Sequence, residues 1–242
     1  IDGKKISQEI KDELRQTVAE LKAQGKEGAL AVIQVGSDPA SSVYVRNKKR
    51  ACEYIGIRSE SYELPEQTSE DELLALIDRL NRDPKINGIL CQLPVPAHMD
   101  EDKIIRAIDP AKDVDGFHAQ NVGALVIGQQ GFLSCTPAGI IQLLKRSNIE
   151  MDGKHCVVVG RSNIVGKPMM CLLSGKGADA TVTLCHSRTR DLAEELRRAD
   201  IIVAAIGKPE FVKGDMVKEG AVVIDVGINR IPAASSAKGY RI

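Results

Sequence analysis

The sequence predicts an α/β protein of two domains, each built on a mainly parallel sheet. Short apolar strands alternate with amphipathic helices along most of the 242 residues, which is the pattern of βαβ units. The alternation stops over residues 109–136, where Asp-Pro, Asp-Gly and several glycines replace periodicity. It resumes at Lys154. We therefore predict an N-terminal domain of residues 1–136 and a C-terminal domain of residues 137–242, with residues 109–136 as a long functional loop or interdomain crossing.

Three strands and four helices are predicted in the first domain. Apolar residues recur at helical spacing from Ile6 to Leu21, and Ser69 with Glu72 forms a capping box at the start of another helix. The predicted elements are a helix over 2–25, a strand over 29–36, a helix over 40–55, a strand over 58–64, the capped helix after Ser69, a strand over 86–93 and a helix over 100–108.

The second domain carries the same rhythm. Its predicted strands are short and rich in β-branched residues, which is typical of strands covered on both faces. The predicted elements are a helix whose first residue is Pro137, a strand over 155–160, a helix over 165–174, a strand over 180–185, a helix over 191–198, and strands over 201–207 and 221–227.

Composition excludes several function classes. Lys+Arg and Asp+Glu both number 33, and there is no Trp, which argues against binding nucleic acid or an anionic membrane. No segment predicts a membrane span or a signal peptide, so we expect a cytosolic protein. The six cysteines form no C-x-x-C pair, and no metal site is expected; we expect them to be small buried apolar residues in a reducing compartment. Because the first residue is Ile1, we expect the sequence to be part of a longer gene product.

A glycine-containing turn at the start of the second domain predicts a nucleotide site. Gly160 ends a predicted strand and Gly166 opens a predicted helix, so backbone N–H groups and a helix N-terminus would face a phosphate. The usual G-x-G-x-x-G pattern is altered, because Ser162 replaces the middle glycine and Gly166 comes one place later. A structural strand-to-helix turn without a ligand is the alternative.

The end of the next strand favours NADP over NAD. Sites that prefer NAD place Asp or Glu there to bind the ribose hydroxyls. Here the strand is followed by Ser187 and Arg188, with no acid, and Arg161 is predicted to lie at the same corner. A hydroxyl and a cation suit a 2′-phosphate, although Arg188 alone could equally be a solvated residue at the start of a helix.

Three polar positions in the first domain could carry proton chemistry. Tyr44 and Lys48 are four residues apart on a predicted helix and share a face. A lysine can take part in proton transfer when burial or neighbouring cations lower its pKa, although a basic helix face is an ordinary surface feature. Gln92 ends a predicted strand, where ligands bind in open α/β sheets; it could orient a lysine, bind a substrate or simply end the strand.

The Asp113–Gly116 segment lies in the irregular region. Its alternating carboxylates lack the further ligands of a calcium loop. The carboxylate of Asp115 could instead accept two N–H bonds from the amino-pyrimidine edge of a heterocycle.

Taken together, these motifs resemble the bifunctional methylenetetrahydrofolate dehydrogenase/cyclohydrolase family. They occur in the family's order and cover nearly the whole chain. The matching segments are Tyr44–Lys48, Gln92–Pro94, Lys112–Gly116, Cys135–Pro137, Val159–Pro168 and Asp225–Asn229.

The resemblance implies a role for each candidate residue. It implies that Lys48 is catalytic, chiefly in the cyclohydrolase step, and that Gln92 bonds to Lys48 and tunes its protonation. It also implies that Tyr44 packs near the folate ring and that Asp115 binds the pterin. The implied contacts with NADP come from Gly160, Arg161, Ser162, Ile164, Gly166, Ser187 and Ile228. The fold implied for the second domain is Rossmann-like.

The resemblance further implies a homodimer and an activity in one-carbon metabolism and purine biosynthesis. Members of the family continue beyond the Gly-Ile-Asn strand into a Pro-Gly-Gly-Val-Gly-Pro loop and a final helix, which this sequence does not contain. Two competing hypotheses are an NAD(P) dehydrogenase for another small substrate and a nucleotide-binding module without catalysis.

Overall fold

The computed structural model describes residues 1–227, 231–232 and 240–241, and it confirms the α/β class with parallel sheets. The chain divides into two compact units. The first contains Ile1–Ala124 and Gln129–Cys135, and the second contains Leu125–Gly128 and Thr136–Ile242.

The first unit is a three-stranded parallel sheet with helices. Its elements are α1 (Gly3–Ala23), β1 (Ala29–Val35), α2 (Pro39–Ile55), β2 (Arg58–Leu64), α3 (Glu70–Arg82), β3 (Gly88–Cys91), α4 (Glu101–Ala107) and the start of α5 (Ala119–Ile127).

The strand order of this sheet is β2-β1-β3. Its main core packs the sheet against α3 and α4, with Ile33, Leu73, Ile77, Ile89 and Ile104 fully buried. Because β2 and β3 lie on opposite sides of β1, the chain changes direction at the carboxyl end of β1. Ligands of open α/β sheets bind beside such a switch point.

The second unit contains a four-stranded parallel sheet in the order β5-β4-β6-β7. Its elements are α6 (Cys135–Arg146, of which Cys135 belongs to the first unit), β4 (His155–Val159), α7 (Gly166–Ser174), β5 (Thr181–Cys185), α8 (Leu192–Arg198), β6 (Ile201–Ala204), a 3-10 turn (Gly214–Met216) and β7 (Val222–Asp225), followed by the antiparallel pair β8 (Ile231–Pro232) and β9 (Tyr240–Arg241).

The central strands of this sheet are covered on both faces, as their sequence predicts. Alternate residues of β4 enter two separate cores: Cys156 and Val158 pack on one side, and Val157 and Val159 on the other. The chain runs from β4 to β5 on one flank and returns to β6 on the other, so the switch point lies between β4 and β6.

The irregular segment over 109–136 contains a helix that the sequence does not predict. Only Asn121 of α5 is buried, and it is polar, so no buried apolar face marks this helix. Gly123 within the helix and Gly128 after it further obscure a run of nine residues. The next helix, α6, begins at Cys135 rather than at Pro137. Proline is tolerated there because the first N–H groups of a helix have no partner within the helix.

Most predicted boundaries lie within two residues of the observed ones, and β2 matches at both ends. The exception is the end of β6, which stops at Ala204 rather than at residue 207, because Ala205 makes the last backbone hydrogen bond of this segment to β4. Among the described residues, no helix combines the length and apolar character needed to cross a lipid bilayer.

The six cysteines are all free. Four are buried as predicted and Cys171 is half-buried, but the prediction is wrong for Cys135, which is exposed at the start of α6.

Candidate active site

In the first unit, Lys48 and Gln92 meet at the carboxyl end of the sheet. Lys48 Nζ donates a hydrogen bond to Gln92 Oε1 at 3.2 Å. Gln92 follows β3 directly, and its own amide nitrogen donates to the Leu93 carbonyl at 2.8 Å. That second bond fixes the amide orientation, so the oxygen faces the lysine.

The packing of α2 places Lys48 there. Val45, one turn earlier, is buried against Val32 of β1 and Leu90 of β3. This contact holds α2 across these two strands, and Lys48, three residues further on, lies on the same face of the helix. Its side chain is half-buried and points to the end of β3.

The loop that carries Asp115 is attached to the same strand. Asp113 forms a parallel bridge with Ile89 of β3, whose N–H donates to the Lys112 carbonyl at 2.7 Å. The buried carboxylate of Asp113 accepts bonds from the His118 N–H at 2.8 Å and from Asn121 Nδ2 at 2.9 Å. The segment beginning at Asp113 therefore runs beside β3, towards the end where Gln92 lies.

A second contact presses this loop against the segment before α6. Gly116 has φ +67°, and a Cβ built on it would lie 2.6 Å from the Leu133 carbonyl carbon and 2.8 Å from the Ser134 nitrogen. Only glycine permits backbones to approach this closely in that conformation. The same packing brings Cys135 Sγ to 3.3 Å from the Val114 carbonyl oxygen.

The electrostatics of this cluster centre on Asp115. Burial raises the pKa of its carboxyl, the Lys48 ammonium lowers it, Asp113 raises it, and a hydrogen bond from the Cys135 thiol lowers it. Burial, followed by the Asp115 charge, raises the pKa of the Cys135 thiol to about 11. Cys135 as a whole residue is exposed. Its sulfur atom lies against Val114, so the burial that raises the pKa concerns the thiol alone. This thiol is a protonated donor at neutral pH.

The structure thus brings Lys48, Gln92 and Asp115 into one cluster, whereas Tyr44 lies one turn before Lys48 with its side chain exposed. Sequence reasoning missed the supporting pair Asp113 and Asn121 and the contact of Cys135. The alternating carboxylates before a glycine were a usable signal for Asp113. The partners of Asn121 and Cys135 lie 8 to 21 residues away in sequence, so no local pattern reveals them.

In the second unit, the turn from β4 into α7 lies at the switch point. Gly160 has φ +118°, and a Cβ on it would lie 2.3 Å from the Ala205 carbonyl oxygen, just after β6. A Cβ on Gly166 would lie 2.0 Å from the Gly160 carbonyl oxygen. Both glycines are therefore required by close backbone contacts within a turn that fits the dinucleotide-binding type.

Ser162 occupies the position of the missing middle glycine. Its hydroxyl accepts bonds from the Val165 N–H at 3.1 Å and the Gly166 N–H at 3.4 Å, and its carbonyl accepts from the Lys167 N–H at 3.1 Å. The serine thereby organises the first turn of α7. Ile164, in the middle of the same turn, is exposed.

The polar residues proposed for the 2′-phosphate are accessible. Arg161 is exposed after β4, and Ser187 is exposed after β5, which pairs with β4. The residues from 186 to 190 include no acid, so the ribose-binding carboxylate of an NAD site is missing from this strand end. These features fit NADP. Ile228 lies outside the described residues.

Within the described part of the chain, no cluster of three or more His, Cys, Asp or Glu side chains could hold a metal ion.

Comparisons with known proteins match both units. Residues 1–115 match the family model of the tetrahydrofolate dehydrogenase/cyclohydrolase catalytic domain, and residues 134–240 match the NAD(P)-binding domain of the same family. The bifunctional protein FolD of Agathobacter rectalis is 69% identical over 230 residues, covering 95% of this chain and 82% of that protein.

Solved structures give the same result. The bifunctional FolD enzyme of Campylobacter jejuni has a TM-score of 0.92 at 49% identity, covering 98% of this chain and 82% of that one. The FolD of Trypanosoma brucei, solved with NADP and an inhibitor, has a TM-score of 0.93 at 38% identity, covering 100% and 82%. This chain belongs to the tetrahydrofolate dehydrogenase/cyclohydrolase family.

Proposed function

We propose that this protein oxidises 5,10-methylenetetrahydrofolate to 5,10-methenyltetrahydrofolate with NADP and then hydrolyses the product to 10-formyltetrahydrofolate. The observation that carries the proposal is the match of both units to the two domains of one bifunctional family. A FolD relative was solved with NADP. The Lys48–Gln92 pair beside Asp115 supplies groups suited to the hydrolytic step.

Substrate binding is assigned to the first unit. The carboxylate of Asp115 would accept two N–H bonds from the amino-pyrimidine edge of the pterin, a pairing that gives both affinity and orientation. Tyr44, exposed one turn before Lys48, offers an aromatic face to the folate ring. In the oxidation these residues bind and orient the substrate, which is the main protein contribution when a cofactor carries the chemistry.

The second unit is assigned to the cofactor, which when bound accepts the hydride. The proposed contacts are Gly160, Arg161, Ser162, Ile164, Gly166, Ser187 and Ile228. Arg161 and Ser187 would bind the 2′-phosphate, and the turn between Gly160 and Gly166 would receive the pyrophosphate.

Hydrolysis requires protons to move in two places. The methenyl product is a cation, and water adds to its one-carbon bridge. The water oxygen must lose both of its protons to become the formyl oxygen, and N5 must gain one as its bond to the bridge breaks. One proton is therefore released overall, and the formyl group is left on N10. We assign this proton transfer to Lys48, whose ammonium is held in place by Gln92 Oε1.

The finer assignments are also proposals. We place the protein in the cytoplasm as a homodimer that supplies one-carbon units to purine biosynthesis. We keep the boundary between catalytic and cofactor domains at residues 136/137.

The first experiment tests the whole activity. The protein is incubated with methylenetetrahydrofolate and either NADP or NAD, and reduced nicotinamide and both folate products are measured. We expect reduction with NADP and accumulation of 10-formyltetrahydrofolate. A folded protein that turns over neither cofactor would exclude the folate activity and favour a nucleotide-binding module without catalysis. Turnover of another small substrate alone would favour an NAD(P) dehydrogenase for that substrate.

Cofactor choice gives a separate prediction. Combining Arg161→Gln with Ser187→Ala should raise the KM for NADP about 10- to 100-fold, because charge-assisted bonds to the 2′-phosphate contribute about 1.5–3 kcal/mol. The KM for NAD should stay within about twofold, since NAD lacks that phosphate. The control is Arg198→Gln, which removes an exposed arginine from α8. An equal loss for both cofactors would contradict the assignment.

The raised pKa of Asp115 predicts the acid limb of the pH profile. The carboxylate must be ionised to accept the pterin N–H bonds. Because burial raises its pKa, it gains a proton at a higher pH than an ordinary aspartate, whose pKa is about 3.9. We therefore expect kcat/KM to fall on acidification through a pKa above that value.

The variant Asp115→Asn separates this residue from other acids. It should lose that acid limb and raise the KM for folate at neutral pH. The control is Asp12→Asn, at an exposed position of α1, which should keep the acid limb and the wild-type KM for folate. An unchanged acid limb in Asp115→Asn would remove Asp115 from pterin binding.

A further inference from the structure

We propose that Asn121 is a positioning residue for the folate site: it holds the turn that carries Asp115 in the place where this carboxylate receives the pterin. The inference rests on the proposed function, since it assumes that Asp115 binds folate. Asn121 acts through the backbone of the turn, and it needs no contact of its own with the substrate or the cofactor.

The turn consists of four residues, Asp113 to Gly116. The Gly116 N–H donates to the Asp113 carbonyl at 3.1 Å and closes the turn, of which Asp115 is the third residue. Closure of such a turn restricts the backbone dihedral angles of its two central residues. The direction of the Asp115 carboxylate therefore depends on how the two ends of the turn are held.

The start of the turn is held against β3. Asp113 forms its parallel bridge with Ile89 of that strand. Val114 covers Gly88, the first residue of β3, because a Cβ built on this glycine would lie 2.4 Å from Val114 Cγ1. These contacts act on the first two residues of the turn and not on the end that follows Asp115.

One buried amide holds both ends. Asn121 is 5% exposed, and its Nδ2 donates to the Asp113 carboxylate at 2.9 Å and to the Pro110 carbonyl at 3.0 Å. Its Oδ1 accepts from the Phe132 N–H at 3.3 Å. A Cβ built on Gly116, at the end of the turn, would lie 2.9 Å from the carbonyl oxygen of the same Phe132. The amide thus joins the start of the turn to the backbone on which the turn ends.

Loss of this amide would release the turn because the Asp113 carboxylate is buried. It is 3% exposed and accepts hydrogen bonds from the His118 N–H at 2.8 Å and from Asn121. Without Asn121, the His118 N–H would be its donor among the described residues, and a buried carboxylate that lacks hydrogen bonds is costly. Moving this carboxylate towards water relieves the cost and displaces Asp115, two residues further on.

The test separates substrate binding from catalysis. Asn121→Ala removes all three bonds of the amide and should raise the KM for methylenetetrahydrofolate about 5- to 30-fold, the effect of one or two lost hydrogen bonds. The kcat and the KM for NADP should stay within about threefold, because Lys48 keeps its place. The control is Asn87→Ala, which removes a bond to the Ala29 N–H just before β3, at the opposite end of the strand from Gln92. It should leave all three constants unchanged.

A double substitution shows whether Asn121 acts through Asp115. Added to Asp115→Asn, Asn121→Ala should change the KM for folate less than twofold further, whereas an independent structural loss would add in full. Full addition, or equal rises in the KM for folate and the KM for NADP, would overturn the proposal.

A second variant covers the case in which Asn121→Ala does not fold. Asn121→Ser should also raise the KM for folate, because a hydroxyl has one donor and cannot make both bonds of the amide nitrogen. A wild-type KM in either variant, once folded, would overturn the proposal. A wild-type protein without folate turnover would instead refute the proposed function.

Discussion

Replacing Lys48 with glutamine is expected to slow hydrolysis of methenyltetrahydrofolate by about 10²- to 10⁴-fold, the usual contribution of a positioned general acid or base. Glutamine is polar but cannot exchange a proton near neutral pH. The oxidation step needs orientation of the substrate rather than proton transfer by Lys48, so its rate should fall much less than the rate of hydrolysis. The methenyl intermediate should therefore accumulate, and following reduced nicotinamide and the two folate products separately would detect it.

The matched control is Lys49→Gln. Lys49 is the next residue of α2, but its side chain lines a different cavity, of about 400 Å³, together with Gln34 and Arg46. Removing a positive charge at Lys49 should leave the rates of oxidation and hydrolysis within about twofold of the wild-type rates. If Lys48→Gln and wild type hydrolysed the methenyl form at equal rates, or with the same pH–rate profile, proton transfer would have to be assigned to another group.

The Lys48 contact shows what could be foreseen from the sequence. Helical spacing predicts that Lys48 lies on the side of α2 that also carries Tyr44, and the apolar run before Gln92 predicts that this amide follows a strand. The parallel βαβ pattern then brings a helix after β1 close to the end of β3. What spacing cannot supply is the bond itself, which depends on Val45 packing between Val32 and Leu90.

The loop around Asp115 was harder to foresee for a physical reason. Secondary structure is predicted from apolar periodicity, and this region is organised by buried polar groups instead. Asn121 is the buried residue of α5, and Asp113 is 3% exposed, with its carboxylate bonded to the His118 N–H and to Asn121 Nδ2. A buried polar residue in an irregular sequence is indistinguishable from a solvated one until its partners are known. The contact of Cys135 Sγ with the Val114 carbonyl was hidden in the same way.

Glycine signals were more informative in the second unit. Gly160 and Gly166 were predicted to form a strand-to-helix turn, and the Cβ distances show that both are required by contacts within the chain. That requirement alone does not demonstrate a ligand, because a tight turn needs glycine whether or not a phosphate lies on it. The absent carboxylate after β5 and the exposed Arg161 are the features that connect the turn to NADP.

Substituting Gly160 with alanine should consequently have a large effect on stability and cofactor binding together. The new Cβ would lie 2.3 Å from the Ala205 carbonyl oxygen, and φ +118° is a conformation that residues other than glycine rarely adopt. We expect the free energy of unfolding of the second unit to fall by about 3 kcal/mol. Moving β4 away from the end of β6 should also disturb the turn, so NADP affinity should fall at least about tenfold. Urea denaturation and direct binding of NADP would measure the two effects.

Gly177→Ala separates steric overlap from backbone strain. Gly177 also has a positive φ, +88°, but a Cβ built there would have no atom within 4 Å. Its alanine variant should lose only about 1–2 kcal/mol, the cost of a left-handed alanine, and should bind NADP as wild type does. If Gly160→Ala lost stability but bound NADP normally in its folded form, the turn would be a structural feature rather than the phosphate site. Equal losses at both positions would show that strain, and not the contact with Ala205, makes Gly160 necessary.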